Sequence, residues 1–508
     1  MRMKWIATSS TATWCGKVPQ PTEASTQLSV THHRQQTIDG FGGCFNEIGW
    51  RVLEALSEDR RTQILRDLFD PASGCGYRLC RVPIGANDYA LEWYSHNECD
   101  GDLAMEHFSI ARDHRYLIPY IRAAMSIQPD LRLFASPWSP PTWMKQPRVY
   151  NYGVLRWEPE ILKAYALYLL RFVQAYQAEG LPVHQLHIQN EPDSDQKFPS
   201  CIWTGAKMRD FIRDYLGPRF RQTGVACEIW AGTFERPDYD AWAHTILVDP
   251  HARAFVSGVG YQWAGKGAVQ RTHQSWPALR LLQTESECGD GTNTWDYAHY
   301  VFTVAEIDNY RNIPEGMTIE GLFSCKQASH YWPGGGNSST APFPVYEKGL
   351  SLKTSDRCVH RRIKVEFSIT LFRGGVNCQK TLLHHYLSNG ANGYVYWNMV
   401  LPPGGRSTWS WTQNSMVTVD TTQQTVTYNP EFYVMKHLAH FVAPGSVRLD
   451  LQGPWSGNAL AFQTPDRSTV VVCANPFSEQ AEVVIDVASE RFFLRLDARS
   501  FNTIVLDG

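Results

Sequence analysis

The stretch His187-Ile-Gln-Asn-Glu-Pro-Asp193 decides how the rest of the chain is read. Residues 183–188 interleave apolar and polar side chains, which predicts a strand. That strand runs directly into Asn190-Glu191-Pro192. Pro192 has no N–H to donate and biases Glu191 toward an extended backbone, so the strand is expected to end there. A carboxylate is then left at a strand's carboxyl end with an amide beside it. Catalytic groups occupy that end in a parallel α/β barrel. A strand-terminating glutamate facing solvent has the same local sequence, so the surrounding chain has to separate the two.

Strand and helix patterns alternate on both sides of this stretch. Strand material precedes Asp39-Gly-Phe-Gly-Gly-Cys-Phe45, and apolar residues at helical spacing follow over 47–68. Strands are predicted over 77–84, 131–135, 183–188, 227–232, 256–263, 279–284 and 393–398, with helices over 117–125, 159–179 and 208–223. Counting the Gly40 strand first, eight strands separated mostly by helices predict a (β/α)8 TIM barrel. The glycines after Asp39 suggest a phosphate cradle, but they lack the G-x-G-x-x-G order and a following Lys-Ser/Thr, so they are read as a tight backbone passage.

Beyond residue 429 the pattern changes to short strands over 447–451, 459–463, 469–473, 481–485, 492–496 and 502–506, an antiparallel β-sandwich signature. The strand-like residues 1–38 are expected to complete that sandwich, which leaves 39–428 as the barrel and 429–508 as the carboxyl-terminal sandwich. The gap from Glu285 to Gly393 breaks the rhythm. Helix seven starts near Trp295 and resumes near Thr381, so residues 311–380 are read as an atypical insertion, expected at the barrel's far end away from the catalytic pair. Asn337-Ser-Ser within it has the N-glycosylation pattern and carries little weight.

Bulk composition narrows the function. Hydrophobic residues make up 43% and charged residues 19%, as in a globular protein. A net charge of −3 offers no general attraction to nucleic acid or anionic membrane. No window approaches the roughly 18 apolar residues of a transmembrane segment, and the basic amino terminus leads into Ser and Thr rather than an apolar core, so no signal peptide is read. The 12 cysteines include no C-x-x-C pair and no zinc-ligand spacing. No cofactor and no metal are expected, and no motif bears on oligomeric state. The absence of a G-x-S-x-G elbow speaks against a serine hydrolase.

The second carboxylate is Glu285, in Leu281-Leu-Gln-Thr-Glu-Ser-Glu-Cys-Gly289. It too ends an apolar strand. Glutamates on the fourth and seventh barrel strands would face each other across the mouth. Acetal hydrolysis between sugars needs such a pair, one to protonate the leaving oxygen and one to attack or to activate water. Arg81 would keep the nucleophile ionised, Asn190 would bond a sugar 2-hydroxyl, and Trp138 and Trp397 would stack on a ring. Glu287, two residues on, is read as a loop residue.

These residues carry a resemblance to glycoside hydrolase family 30, the group that includes glucosylceramidase and β-1,6-glucanases. The matching pieces are Asp39-Gly-Phe-Gly-Gly, Arg81-Val-Pro-Ile, Ala135-Ser-Pro-Trp-Ser-Pro-Pro-Thr-Trp, Gln189-Asn-Glu-Pro, Thr284-Glu-Ser-Glu and Tyr396-Trp-Asn. The resemblance implies a barrel with a sandwich built from both termini and retention of anomeric configuration. It also implies Glu191 as acid/base and Glu285 as nucleophile, with Asp88, Trp138, Asn190 and Trp397 at glucose-contacting positions. The implied substrate is a glycan or glycolipid, a glucosylceramide-like glucolipid or β-1,6-glucan. Xylan, β-1,6-galactan and a non-catalytic glycan-binding relative disabled by the insertion are the alternatives. Relatives in that family are often secreted or lysosomal, which leaves localisation open. One departure stands inside the site: Tyr261-Gln262-Trp263 occupies the place where the glucosylceramidase branch usually has a His before the Trp.

Overall fold

The structure, a computed structural model, describes residues 3–21, 27–289, 291, 293–295, 383–487 and 490–508. Residues 311–380, expected as an insertion, lie outside the described residues, as does Asn337.

Eight parallel strands close into a barrel: Gly40–Cys44, Leu79–Ile84, Arg132–Pro137, Val183–His187, Glu228–Phe234, Val256–Gln262, Arg280–Glu285 and Gly393–Asn398. The eighth strand is in place despite the long connection before it. Gly393 pairs with Leu282 of the seventh strand and with Gly40 of the first. The connection of residues 286–392 therefore does not displace strand eight, the disruption by which the insertion would have disabled the site. Leu79, Phe134, Trp230, Leu282 and Val395 form an apolar layer from strands two, three, five, seven and eight. That layer is the filled interior that a barrel of this size requires.

The glycine run in the first strand has a packing cause. A Cβ on Gly42 would lie 1.9 Å from the Leu79 carbonyl oxygen, and one on Gly43 would meet the Met399 side chain at 2.3 Å. The tight passage is a strand-to-strand approach.

One helical expectation is corrected. The pattern over 47–68 forms two helices, Glu47–Glu54 and Glu58–Phe69. Buried Leu56 turns inward between them, and Glu58 and Asp59 favour a fresh helix start through the dipole of its first turn. Pro430–Ala439 is a helix ahead of the first sandwich strand expected over 447–451, which the structure has at Val447–Gln452; proline at the helix's first position suits a helix start.

Ten strands form the second sheet. Met3–Thr8 pairs antiparallel with Ser500–Leu506, and Leu28–Thr37 pairs with Val447–Gln452. Trp5, Val471 and Ile504 from one side of the strand order share an apolar cluster with Leu28, Ile485 and Leu494 from the other. The sheet is therefore folded over its own core as a sandwich, built from both ends of the chain. Among the described residues no helix is long and apolar enough to cross a membrane.

Buried titratable groups set a pH dependence of stability. Burial pushes Glu431 up to about 8 and Glu235 up to about 7. Burial pushes His437 down to about 3 and His385 down to about 4. Between pH 7 and 8 the unfolded imidazoles, with an ordinary value near about 6.5, are mostly neutral, so the carboxyls decide the sign. The folded state then binds more protons than the unfolded state, and stability falls as pH rises, by about 1.4 kcal/mol per pH unit for each proton of difference. Below pH 7 the unfolded imidazoles take up protons too, and the imidazole and carboxyl effects oppose each other. Melting temperatures are expected to drop from pH 7 to 8, and Glu431→Gln to flatten the drop. A rise across that window would contradict the assignment.

Candidate active site

The site sits at the carboxyl ends of the barrel strands and is assembled around Arg81, which is fully buried. Its guanidinium reaches across the barrel mouth. Nε donates to Ser136 Oγ at 2.9 Å, Nη2 to Asn190 Oδ1 at 2.7 Å and Nη1 to Glu285 Oε2 at 2.8 Å. Strands two, three and seven and the segment after strand four are thus tied by one side chain. Cζ also lies 4.4 Å from the Trp138 ring centroid. A guanidinium suits this place because it is always charged and offers five donors in a fixed fork.

Glu285 ends the seventh strand and is almost wholly buried. Trp263 Nε1 donates to its Oε1 at 2.9 Å, while Arg81 and Gln262 donate to Oε2. Burial lifts the carboxyl above its ordinary value, and the Arg81 charge followed by these hydrogen bonds draws it back. Trp263 reaches it from a left-handed backbone, φ 47°, a conformation that costs free energy and persists where surrounding structure holds it.

Glu191 does not take the extended conformation expected before a proline. Its φ is 43°, and the fourth strand ends earlier, at His187. The cause is long-range. Asn190 N–H donates to Pro137 O at 2.8 Å and Glu191 N–H to Thr233 O at 3.2 Å, so strands three and five fix the chain's exit. The Glu191 carboxyl accepts from Gln262 Nε2 at 3.2 Å. Burial, and after it the neighbouring Glu285, push it well above its ordinary value. The two carboxylates are therefore unequal, with a direct guanidinium partner on Glu285 and none on Glu191 among the described residues.

Gln262 Nε2 lies 3.2 Å from both Glu191 Oε1 and Glu285 Oε2, so these two oxygens are separated by no more than twice that distance. Asp88 is buried beside Arg81 and Glu285, and its carboxyl is pushed up first by burial and then by Glu285. The Trp397 indole N–H reaches toward Asp88 without closing a hydrogen bond of good geometry. Trp138 and Trp397 stack on each other at 5.4 Å. Both rings also lie by the Arg81 guanidinium, and both indoles are almost fully buried.

All seven residues singled out from the sequence thus meet in one place. Glu287 is a loop residue paired with Lys266. Sequence reasoning passed over Ser136, Thr233, Trp263 and Glu235, and noticed Gln262 only as a departure. Three of the five lie at or just beyond the carboxyl end of a barrel strand, which is the signal that could have found them; Ser136 and Thr233 each lie one residue short of such an end. Glu235 accepts from the Asp193 N–H at 3.1 Å and the Ser194 hydroxyl at 2.7 Å, bracing the turn that follows Glu191.

Three barrel loops add an aromatic shelf. Trp93 stacks on Tyr150 at 5.7 Å and meets Trp409 at 4.7 Å. Trp93, Leu103, Val149, Tyr152 and Val154 are exposed on the loops after strands two and three.

Similarity to known proteins follows this geometry. The chain is 32% identical over 321 residues to a Caenorhabditis elegans protein named "Putative glucosylceramidase 2", covering 59% of this chain and 61% of that relative. It is 26% identical over 471 residues to the lysosomal acid glucosylceramidase of Mus musculus, covering 89% of this chain and 77% of the mouse protein. A solved endo-β-1,6-glucanase shares the fold with a TM-score of 0.74 at 20% identity, over 100% of both chains. The aligned stretch spans less than two thirds of the nematode relative's own length. Residues 445–504 match the β-sandwich domain of glycosyl hydrolase family 30 and residues 38–314 its TIM-barrel domain. That barrel match alone takes in more than half of the chain, and the protein belongs to glycosyl hydrolase family 30.

Proposed function

We propose that the protein is a retaining β-glycosidase that hydrolyses β-glucosidic bonds by double displacement, with a glucolipid or a β-1,6-glucan as substrate. The observation that carries this reading is the pair of carboxyl oxygens held 3.2 Å from one amide nitrogen. Retaining enzymes place their carboxyls about 5–5.5 Å apart, whereas inverting enzymes need about 6.5–9.5 Å to admit a water. Glu285 is the nucleophile, kept ionised by Arg81 and oriented by Trp263 and Gln262. Glu191 is the acid/base, its proton retained by burial and by the charge of Glu285.

In the first step Glu285 attacks the anomeric carbon as the bond to the aglycone breaks. The leaving oxygen takes the Glu191 proton, and Glu285 becomes a glycosyl ester. In the second step Glu191 accepts a proton from water, the water oxygen attacks the same carbon, and Glu285 leaves as a carboxylate.

Asp88 and the Trp397 N–H form an adjacent acceptor and donor suited to one sugar hydroxyl. Asn190 supplies a second polar contact, and Trp138 forms part of the floor. Names of relatives, glucosylceramidase and endo-1,6-β-D-glucanase, support glucose as the sugar. The shelf of exposed Trp93 with half-buried Tyr150 and Trp409 favours the glucolipid, since it offers an apolar aglycone a surface on the barrel loops.

Glucosylceramide, β-1,6-glucan, β-1,6-galactan and xylan assayed side by side test the substrate. Cleavage of a glucoside is expected, and Asp88→Ala should weaken kcat/KM for it by roughly tenfold to a hundredfold. Cleavage of xylan or galactan alone would remove the glucose-contact roles of Asp88 and Trp138.

A further inference from the structure

Gln262 is fully buried and touches both carboxylates. Its amide orientation is fixed by chemistry. Arg81 Nη1 donates to Gln262 Oε1 at 3.3 Å, and Thr284 Oγ1 lies 2.9 Å from the same oxygen. A guanidinium has no acceptor, so the carbonyl must face Arg81 and the NH₂ must face the opposite side. There Nε2 has three acceptors: Asn190 Oδ1 at 3.1 Å, Glu191 Oε1 at 3.2 Å and Glu285 Oε2 at 3.2 Å. It carries two hydrogens. Asn190 Oδ1 has two lone pairs, and they already accept from Arg81 Nη2 at 2.7 Å and from the Thr233 hydroxyl at 3.3 Å, which leaves the two hydrogens for the two glutamates.

The pair holds one negative charge throughout the proposed cycle. It rests on Glu285 at the start, passes to Glu191 when the ester forms, and returns when water breaks the ester. We propose that Gln262 is the positioning residue that keeps this single charge hydrogen-bonded at both ends of its passage between Glu285 and Glu191. Arg81 serves only the Glu285 end of the passage. The other charged groups facing the pair are Asp88 from the loop after strand two and Glu235 from the end of strand five. Both are carboxyls and neither can donate when ionised. An amide does this work without titrating, which a histidine at the same place would not.

The inference rests on the proposed glycosidase reading, and its test separates the two. Gln262→Met keeps the length of the side chain and removes the donor. It takes a hydrogen bond from the charged form of each glutamate, so both titrations are expected to move to higher pH. Carboxyl ¹³C titrations of the wild-type protein and Gln262→Met, assigned with Glu191→Gln and Glu285→Gln, read this without turnover. In kinetics, both limbs of the kcat/KM profile on an aryl β-glucoside should move up, with a tenfold to hundredfold loss at the optimum. Gln262→His should recover part of the loss and add an ionisation near pH 6.5; it carries the test if the Met variant is insoluble. Unshifted carboxyl titrations, or a lower rate with unmoved limbs, would reduce Gln262 to packing and overturn the proposal. Shifted titrations in a protein that cleaves no β-glucoside would instead overturn the glycosidase reading.

Discussion

Glu285→Gly is expected to lower turnover of every β-glucoside by roughly 10⁴-fold or more, the scale on which losing a covalent nucleophile is felt. The protein should still bind substrate, because Asp88, Asn190 and Trp397 are untouched. Glycine also opens the space in front of Arg81 Nη1 and Trp263 Nε1, the two groups that held the carboxylate at 2.8 and 2.9 Å. Azide is small and anionic and can occupy that space. It would attack the anomeric carbon from the nucleophile's face, while Glu191 still protonates the leaving oxygen. The expected result is recovered turnover in azide with an α-glycosyl azide as product. A β-glycosyl azide, or full activity without azide, would remove Glu285 from the nucleophile's role.

Glu191→Ala should behave differently with different leaving groups. General acid help contributes about 10²–10⁴-fold, and only substrates with poor leaving groups need it in the first step. Native glucosides should lose that much. A dinitrophenyl β-glucoside should still form the glycosyl ester, with a rapid burst followed by slow release, because water then lacks its base. Azide needs no base and should release the ester as a β-glycosyl azide. An equal loss on both kinds of substrate, with no burst, would contradict the assignment of Glu191.

Much of this was legible in the chain. Glu191 and Glu285 stood out because each ends a predicted strand, and the eight-strand rhythm placed those ends on one face. The sandwich strands were legible from their turn spacing, and their pairing with the amino terminus followed from the strand-like residues there. What stayed hidden depends on partners distant in sequence. The left-handed turn at Glu191 is imposed by Pro137 and Thr233, whose carbonyls no local rule connects to Pro192. Trp263 looks like any strand-end aromatic until its N–H is found 2.9 Å from Glu285. The stacking of Trp138 on Trp397 at 5.4 Å, with Arg81 4.4 Å from the Trp138 ring, joins three strands and is equally invisible to local spacing. The break between the first two helices rests on where buried Leu56 points, which helical spacing across 47–68 does not reveal.

Stereochemistry tests the central claim most directly. Proton NMR of the sugar first released from an aryl β-glucoside, recorded before mutarotation, reports whether the anomeric centre was displaced once or twice. Two carboxyl oxygens that share Gln262 Nε2 at 3.2 Å lie no more than twice that distance apart, short of the roughly 6.5–9.5 Å between carboxyls at which inverting enzymes admit a water. The β-anomer is predicted to appear first. First appearance of the α-anomer would mean single displacement by water and would contradict the account.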